Sequence, residues 1–190
     1  MIIEIRWHGR GGQGAVTASE LTARAAIREG KVALAFPQFG AERRGAPVVA
    51  FTRVSDEKII LPRTPITNPD IIVVMDPTLL PQKFIYSGVK QGGLVIANTA
   101  RSPEEVKRMS GRDDLKIATV NATKIAMDIF KRPIVNTPVL GSLAKVAEEL
   151  GLPLFKLESL LAVIPERFSG KVAELNIEAV KKAYEEVKLG

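Results

Sequence analysis

The chain has 190 residues, of which 46% are hydrophobic and 25% charged, an ordinary globular composition that is long enough for one domain. Its 27 lysines and arginines exceed its 21 acidic residues, so the net charge is +6, which suits an anionic small molecule or an acidic protein. No three basic residues are consecutive, and we therefore expect no nucleic-acid partner. A single domain is predicted over residues 1–190.

The missing residue types exclude several kinds of chemistry. Without cysteine, this chain cannot itself hold an iron–sulfur cluster, a zinc ribbon, a disulfide or a thiol nucleophile. His8 is the only histidine, so we expect no metal site and interpret His8 as structural. The aliphatic runs are far shorter than the ~20 residues of a membrane span, and Glu4 and Arg6 interrupt the N-terminal run. We therefore expect no secretory signal, no membrane partner and a cytoplasmic location.

Apolar runs and helical periodicities alternate along the chain. A β-branched run from Ile2, which stops at Gly9, predicts a first strand, and residues 15–29 predict a helix with Gly30 as its C-cap. Further strands are predicted at residues 31–36, 47–54, 71–75, 93–97 and 115–120. Residues 58–61 are predicted to pair with the 47–54 strand. Helices are predicted at residues 139–150, 154–164 and 172–187.

This order of elements indicates a fold class. Strands that are apolar on both faces and alternate with helices are typical of parallel sheets covered by helices. The sequence therefore predicts an α/β, three-layer, Rossmann-like fold. Its sheet is mainly parallel (mixed) and covered by helices, and the C-terminal helices are docked on it.

The strongest local motif is a glycine loop between the first strand and the first helix. Gly9, Gly11 and Gly14 match the pattern G-x-G-x-x-G in the strand–turn–helix context of dinucleotide-binding loops. Glycine permits tight turns and close approach, and a helix N-terminus favours anions. The residues of this loop that we take as a candidate binding site are Gly9, Arg10, Gly11, Gly12, Gln13 and Gly14.

The loop alone leaves alternatives open. It could be a tight turn that packs helix against sheet, or a ligand or subunit contact as well. A stand-alone NAD(P)-dependent oxidoreductase or a nucleotide-binding regulatory protein would use the same loop. Two observations count against these nucleotide-binding alternatives. Residues 33–38 contain no acidic residue that could bind a ribose, and Ala15 and Val16 stand where a Walker motif has Lys and Ser/Thr.

Three blocks of sequence carry a resemblance to a known family. They are residues 4–14 (EIRWHGRGGQG), residues 40–54 (GAERRGAPV and FTRV) and residues 135–141 (VNTPVLG). In this order they resemble the gamma subunit of 2-oxoacid:ferredoxin oxidoreductases. Arg10 is more similar to the pyruvate and branched-chain enzymes than to the 2-oxoglutarate and indolepyruvate ones.

The resemblance implies one subunit of an enzyme that oxidatively decarboxylates a 2-oxoacid to acyl-CoA and CO₂, with electrons passed to ferredoxin. Pyruvate is the expected acid, and the subunit could be shared with a 2-ketoisovalerate enzyme. The partners implied are the alpha, beta and delta subunits, which would hold the thiamine diphosphate, the Mg²⁺ and the [4Fe–4S] clusters. This chain would serve assembly and coenzyme A access, would contribute no catalytic residue and would be inactive alone.

Two further residue pairs join the candidate site in light of this resemblance. Arg43 and Arg44 suit the phosphates of coenzyme A through bidentate contacts, or equally a salt bridge to a partner subunit. Asn136 and Thr137 precede Pro138, which is predicted at the first position of a helix, so they are expected to cap it or to contact a ligand or partner.

Overall fold

Seven strands form one sheet in the computed structural model, which describes residues 1–38 and 43–190. The strand order is β2-β3-β1-β4-β5-β6-β7. The strands are β1 (Ile2–Arg10), β2 (Val32–Pro37), β3 (Pro47–Ser55), β4 (Ile71–Val74), β5 (Leu94–Asn98), β6 (Lys116–Val120) and β7 (Lys188–Leu189). The centre from β1 through β4 and β5 to β6 is parallel, whereas β3 is antiparallel to β1 and β2, and β7 is antiparallel to β6.

Helices cover both faces of this sheet. The α-helices of the described residues are α1 (Ala15–Arg28), α2 (Pro103–Ser110), α3 (Ala122–Phe130), α4 (Asn136–Glu149), α5 (Leu157–Arg167) and α6 (Gly170–Glu186). Two short 3₁₀ helices lie at Pro77–Leu79 and Lys83–Tyr86. The predicted α/β class with a mixed, mainly parallel sheet is confirmed.

The larger core lies on the face that carries α1 and the C-terminal helices. Alternate residues of β1 point into it, and they are Ile3, Ile5 and Trp7. The Trp7 indole N–H donates to Thr52 Oγ1 at 3.0 Å, and that hydroxyl donates to the Ser19 carbonyl of α1 at 3.1 Å. The polar end of the buried tryptophan therefore helps to fix α1 on the sheet.

Helices α4 and α6 run parallel in close contact. Gly141 makes this possible, because a Cβ there would lie 2.1 Å from the Val180 carbonyl oxygen. At the N-terminal end of the pair, the Thr137 hydroxyl donates to Asn176 Oδ1 at 2.6 Å. Both helices therefore begin at the edge of the sheet where α1 also begins.

The opposite face is divided in two. Over β4, β5 and β6 it is apolar and lies under α2 and the 3₁₀ helices. Over β1 and β3 two arginines hold loops against it, beside a small apolar cluster of Phe36, Phe51 and Ile66. Arg6 donates to four carbonyl oxygens of the loops at 66–67 and 85–87, and Arg53 donates to the carbonyls of Pro62 and Thr64.

The structure corrects two of the predicted elements. Residues 58–61 form no strand, because β1 and β2 already occupy both edges of β3. Helix α4 begins at Asn136 rather than at residue 139. None of the helices in residues 1–38 and 43–190 is both long and apolar enough to cross a membrane.

Candidate functional site

The glycine loop lies at the point where the winding of the sheet reverses. From β1 the chain passes through α1 to the β2 side of the sheet, whereas β4 and the strands after it extend the other side. The carboxyl ends of β1 and β4 are adjacent there, and such switch points are where open α/β sheets bind ligands. The sequence-predicted loop therefore occupies the expected place for a site.

Four side chains, Arg10, Gln13, Asp76 and Thr78, close one side of the loop, and we call them the closed side. The Gln13 amide donates to Asp76 Oδ2 at 2.7 Å, and its Oε1 accepts the Arg10 backbone N–H at 2.7 Å. The Arg10 guanidinium donates to Thr78 Oγ1 at 2.9 and 3.1 Å and to the Gly45 carbonyl at 3.1 Å. Asp76 Oδ1 accepts the Thr78 hydroxyl at 2.6 Å and its backbone N–H at 2.8 Å.

Asp76 is the centre of this network. Burial alone would raise the pKa of its carboxyl, but the hydrogen bonds from Thr78 and Gln13 and the nearby Arg10 charge lower the pKa below its usual value. The Arg10 Nε lies 3.6 Å from Asp76 Oδ2. The carboxylate is therefore ionised at neutral pH, and it orients side chains that are already engaged within the chain.

At Gly11, the group that lies close to the glycine is another part of the chain's own backbone. Its N–H donates to the Ala46 carbonyl at 2.8 Å, and its carbonyl accepts the Gly45 N–H at 3.2 Å. A Cβ on Gly11 would lie 2.3 Å from the Arg43 carbonyl oxygen. The glycine at this position thus docks the segment that carries Arg43 and Arg44, instead of making room for a ligand.

Gly12 forms the other, open side of the loop, and Gly14 next to it packs against the Asn136 side chain. Both have positive φ, at 92° and 81°, so both need glycine for their backbone conformation. Gly14 is the N-cap of α1, where no side chain of the described residues caps the helix. The N–H groups of that first turn therefore have no side-chain acceptor among the described residues.

An open depression of about 710 Å³ lies over Gly12 and extends across Arg10, Gly11 and Gln13 of the closed side. Its described lining residues are Arg10, Gly11, Gly12, Gln13, Arg44, Gly45 and Pro133. Arg43 and Arg44 are both exposed. The structure thus brings the arginine pair beside the glycine loop, as a shared site requires. Gly40, Ala41 and Glu42, the start of the second family-like block, lie outside the described residues.

Asn136 and Thr137 also lie at this edge, but their predicted capping role is wrong. Both are inside α4, whose N-cap is Val135, and Pro138 is the third residue of the helix rather than the first. Thr137 is fully buried, and its hydroxyl bonds to α6. Asn136 is buried and packs against Gly14, because a Cβ on Gly14 would lie 2.7 Å from Asn136 Nδ2.

His8, at the end of β1, has a structural role. Its ring is buried, and Nε2 accepts the Arg6 Nε–H at 2.9 Å. Burial, together with the charge of Arg6, lowers the pKa of His8 to about 3. The imidazole is therefore neutral at physiological pH, and the lone pair that a general base would use is already taken.

The dinucleotide alternative finds no support in this geometry. In a dinucleotide-binding fold the second strand lies directly beside the first and supplies the ribose-binding acid. Here β3 separates β2 from β1, and the loop's middle glycine, Gly11, is covered by the chain itself.

Sequence reasoning missed Asp76 and Thr78. The available signal was the Asp76-Pro77 pair directly after the buried β4 run, because polar residues at the carboxyl end of a strand next to β1 are placed to meet the loop. Asp76 also caps the first 3₁₀ helix by accepting the Thr78 N–H.

Comparisons with known proteins agree with the family-like blocks. The family model described as pyruvate ferredoxin/flavodoxin oxidoreductase matches residues 4–186. The chain is 50% identical over 183 residues to the pyruvate/ketoisovalerate oxidoreductases common subunit gamma of Thermococcus kodakarensis, covering 96% of each chain.

Two solved structures share the fold. Pyruvate oxidoreductase subunit PORC from Thermotoga maritima is 42% identical, with a TM-score of 0.86 and coverage of 100% of this chain and 98% of that one. A 2-oxoglutarate:ferredoxin oxidoreductase from Magnetococcus marinus, solved with 2-oxoglutarate, coenzyme A and succinyl-CoA bound, matches with a TM-score of 0.75 at 20% identity, over 97% of this chain and 30% of that one. At 20% identity, the similarity to the Magnetococcus marinus enzyme shows a shared fold only. By its family match and its full-length relatives, the chain belongs to the pyruvate ferredoxin/flavodoxin oxidoreductase family.

Proposed function

We propose that this chain is the gamma subunit of a cytoplasmic pyruvate:ferredoxin oxidoreductase, shared with a 2-ketoisovalerate enzyme. The complex would convert a 2-oxoacid and coenzyme A to acyl-CoA and CO₂ and pass the electrons to ferredoxin. The observation that carries this proposal is 50% identity, over nearly the whole length of both chains, to a gamma subunit named for both acids.

The composition of the chain supports a division of labour with alpha, beta and delta subunits. An iron–sulfur cluster of this enzyme type is held by cysteine thiolates, and the sequence has none. Within residues 1–38 and 43–190, no group of three or more His, Asp or Glu side chains is arranged to hold a metal ion. The lack of cysteine fits a subunit that leaves the clusters to its partners, which would also hold the thiamine diphosphate and its Mg²⁺.

The open side of the glycine loop supports a contact with coenzyme A. This substrate carries a pyrophosphate and a 3′-phosphate, which need donors and positive charge. The uncapped first turn of α1 behind Gly14 offers backbone N–H groups, and Arg43 and Arg44 offer two exposed guanidinium groups at the same edge. Asn136 of α4, which is buried, packs against Gly14 at the start of this turn.

The closed side has a supporting part in this proposal. Arg10 donates to the Gly45 carbonyl, and Gly11 pairs with Arg44 in a backbone bridge, so the network around Asp76 fixes the base of the arginine segment. Binding groups held on a fixed backbone lose less entropy when a ligand binds. In this proposal Arg10, Gln13 and Thr137 shape the site, Gly12, Arg43 and Arg44 face the ligand, and the buried Asn136 packs against Gly14.

Reconstitution of the complex tests the proposal. The other three subunits are co-expressed with and without this chain, and pyruvate- and coenzyme A-dependent reduction of ferredoxin is measured. We expect the three-subunit preparation to lack this turnover and the purified chain to restore it. The pure chain alone should be colourless and inactive. Full turnover without this chain, or ferredoxin reduction by this chain alone, would contradict the proposal.

A further inference from the structure

The Arg10 side chain borders the depression at the glycine loop, and the chain uses only part of its guanidinium. The side chain is 30% exposed. A guanidinium has five N–H donors. In Arg10 the Nε–H and one N–H of Nη2 donate to the Thr78 hydroxyl, and one N–H of Nη1 donates to the Gly45 carbonyl. One N–H on each terminal nitrogen therefore remains without an acceptor among the described residues.

The closed side holds this guanidinium in one orientation. The Thr78 hydroxyl that accepts from Arg10 itself donates to Asp76 Oδ1 at 2.6 Å, and Asp76 Oδ2 accepts the Gln13 amide at 2.7 Å. An oriented side chain loses little freedom when a ligand binds to it. Because the guanidinium is planar and rigid, its two remaining N–H groups suit two oxygens of one phosphate.

A second guanidinium belongs to the same depression. Gly11 and Arg44 form a backbone bridge, and a Cβ on Gly12 would lie 3.9 Å from Arg44 Cγ, so the stem of the Arg44 side chain lies beside Gly12. Arg44 is exposed and lines the depression together with Arg10. Two arginines from different segments of the chain thus border one cavity.

The charges at the depression favour an anion. Its described lining includes two arginines and no acidic residue. Asp76 lies behind the lining, and both of its carboxylate oxygens accept hydrogen bonds from the closed side. Glu42 precedes Arg43 in the sequence and lies outside the described residues. Even when both acids are counted, the three arginines of the loop and the arginine segment outnumber them.

We propose that Arg10 and Arg44 together bind the 3′-phosphate of coenzyme A and so make the enzyme selective for the 3′-phosphorylated coenzyme, an inference that rests on the proposed function. That function uses Arg10 only to shape the site, whereas here its two remaining N–H groups contact the ligand. A phosphate monoester has three terminal oxygens and a charge of about −1.5 to −2 at pH 7. Each phosphate of the pyrophosphate is linked on both sides and carries a single charge, so a pair of guanidinium groups matches the 3′-phosphate better.

The test is a cycle between the two side chains and the phosphate group, carried out in the four-subunit complex. Kd and KM are measured for coenzyme A and for 3′-dephospho-coenzyme A with wild type, Arg10→Gln and Arg44→Gln. The matched control is Arg101→Gln, which removes one exposed positive charge at the end of β5, outside the lining of the depression. Assembly is checked by subunit co-elution.

The expected result is a change in the ratio of the two affinities. One charge-assisted contact is worth roughly 10-fold in affinity or more. Wild type should therefore prefer coenzyme A to the dephospho form by about 100-fold or more, and Arg10→Gln and Arg44→Gln should each lower this preference roughly 10-fold. Arg101→Gln should keep the wild-type preference.

Each other outcome overturns the proposal in a recognisable way. If Arg10→Gln weakens both ligands equally, Arg10 only shapes the site, and the proposed function stands. Equal affinity of wild type for the two ligands would show that the 3′-phosphate is not recognised. A wild-type complex without coenzyme A-dependent turnover would refute the proposed function as well. Should Arg10→Gln fail to assemble, Arg10→Lys decides, because it keeps the charge but loses the paired donors, and an unchanged preference would contradict the proposal.

Discussion

The two sides of the glycine loop use neighbouring residues in opposite ways. On the closed side, the Arg10 side chain donates to Thr78 and the Gln13 side chain donates to Asp76. Gly11 is covered there by the backbone of the segment that carries Arg43 and Arg44. On the open side, a Cβ on Gly12 would meet no atom nearer than 3.9 Å. A glycine-rich motif thus indicates that another group lies close to the backbone. The structure shows that on the closed side it is the chain itself.

The largest effect should come from removing the centre of the closed side. Asp76→Ala deletes the acceptor for Gln13 and for both donors of Thr78. We expect a loss of about 2–4 kcal/mol in the free energy of unfolding, measured by urea denaturation. Asp76→Asn keeps one acceptor oxygen and should lose less. A loss below about 1 kcal/mol for Asp76→Ala would show that the network does not stabilise the fold.

A second effect concerns pH and the buried end of β1. The pKa of His8 is about 3 in the folded chain against 6.5 when unfolded, so the unfolded chain takes up the proton first as the pH falls. Stability should therefore drop between pH 6.5 and 3, by about 2 kcal/mol from pH 7 to pH 5. His8→Gln removes the titrating group, and its unfolding curves should depend less on pH. An identical pH dependence in both proteins would rule out His8 as the source.

The smallest expected effect on stability is the difference between alanine substitutions at two adjacent glycines. Gly11→Ala places a methyl group against the Arg43 carbonyl, and we expect a loss of about 1–3 kcal/mol. Gly12→Ala meets open space and should lose only about 1 kcal/mol from its positive φ. Thermal unfolding of both variants measures the difference. Equal losses, or a larger loss for Gly12→Ala, would remove the distinction between the two sides.

Much of the fold follows from local sequence signals. The apolar runs of β1, β4, β5 and β6 and the periodicity of α4, α5 and α6 were enough to predict the α/β class. The predicted strand at residues 58–61 was wrong because strand pairing is non-local. Both edges of β3 are paired, one with β1 and the other with β2. In addition, an exposed aliphatic run has the same sequence pattern as a buried one. No helix was predicted from the sequence at α2, although the Ser102 and Glu105 capping box marks its start.

The candidate site was only partly predictable for a related reason. Residue types and spacing identify Gly9–Gly14 and the Arg43-Arg44 pair as candidate binding residues, and the structure places these two segments beside each other. The sequence cannot say which polar groups are already satisfied inside the chain. That depends on Asp76, which is 63 residues from its partner Gln13, and on Asn176, which binds Thr137.

The central claim, that the open side binds the phosphates of coenzyme A, is tested most directly with Arg43→Ala/Arg44→Ala in the reconstituted complex. The matched control is Lys107→Ala/Arg108→Ala, an adjacent basic pair in the last turn of α2. Loss of one charge-assisted contact, at ~1.5–3 kcal/mol, predicts a KM for coenzyme A raised roughly 10- to 150-fold. The KM for pyruvate and the subunit stoichiometry should be unchanged. A fully assembled variant with both KM values unchanged, or a complex that dissociates more readily while coenzyme A affinity is intact, would contradict the claim.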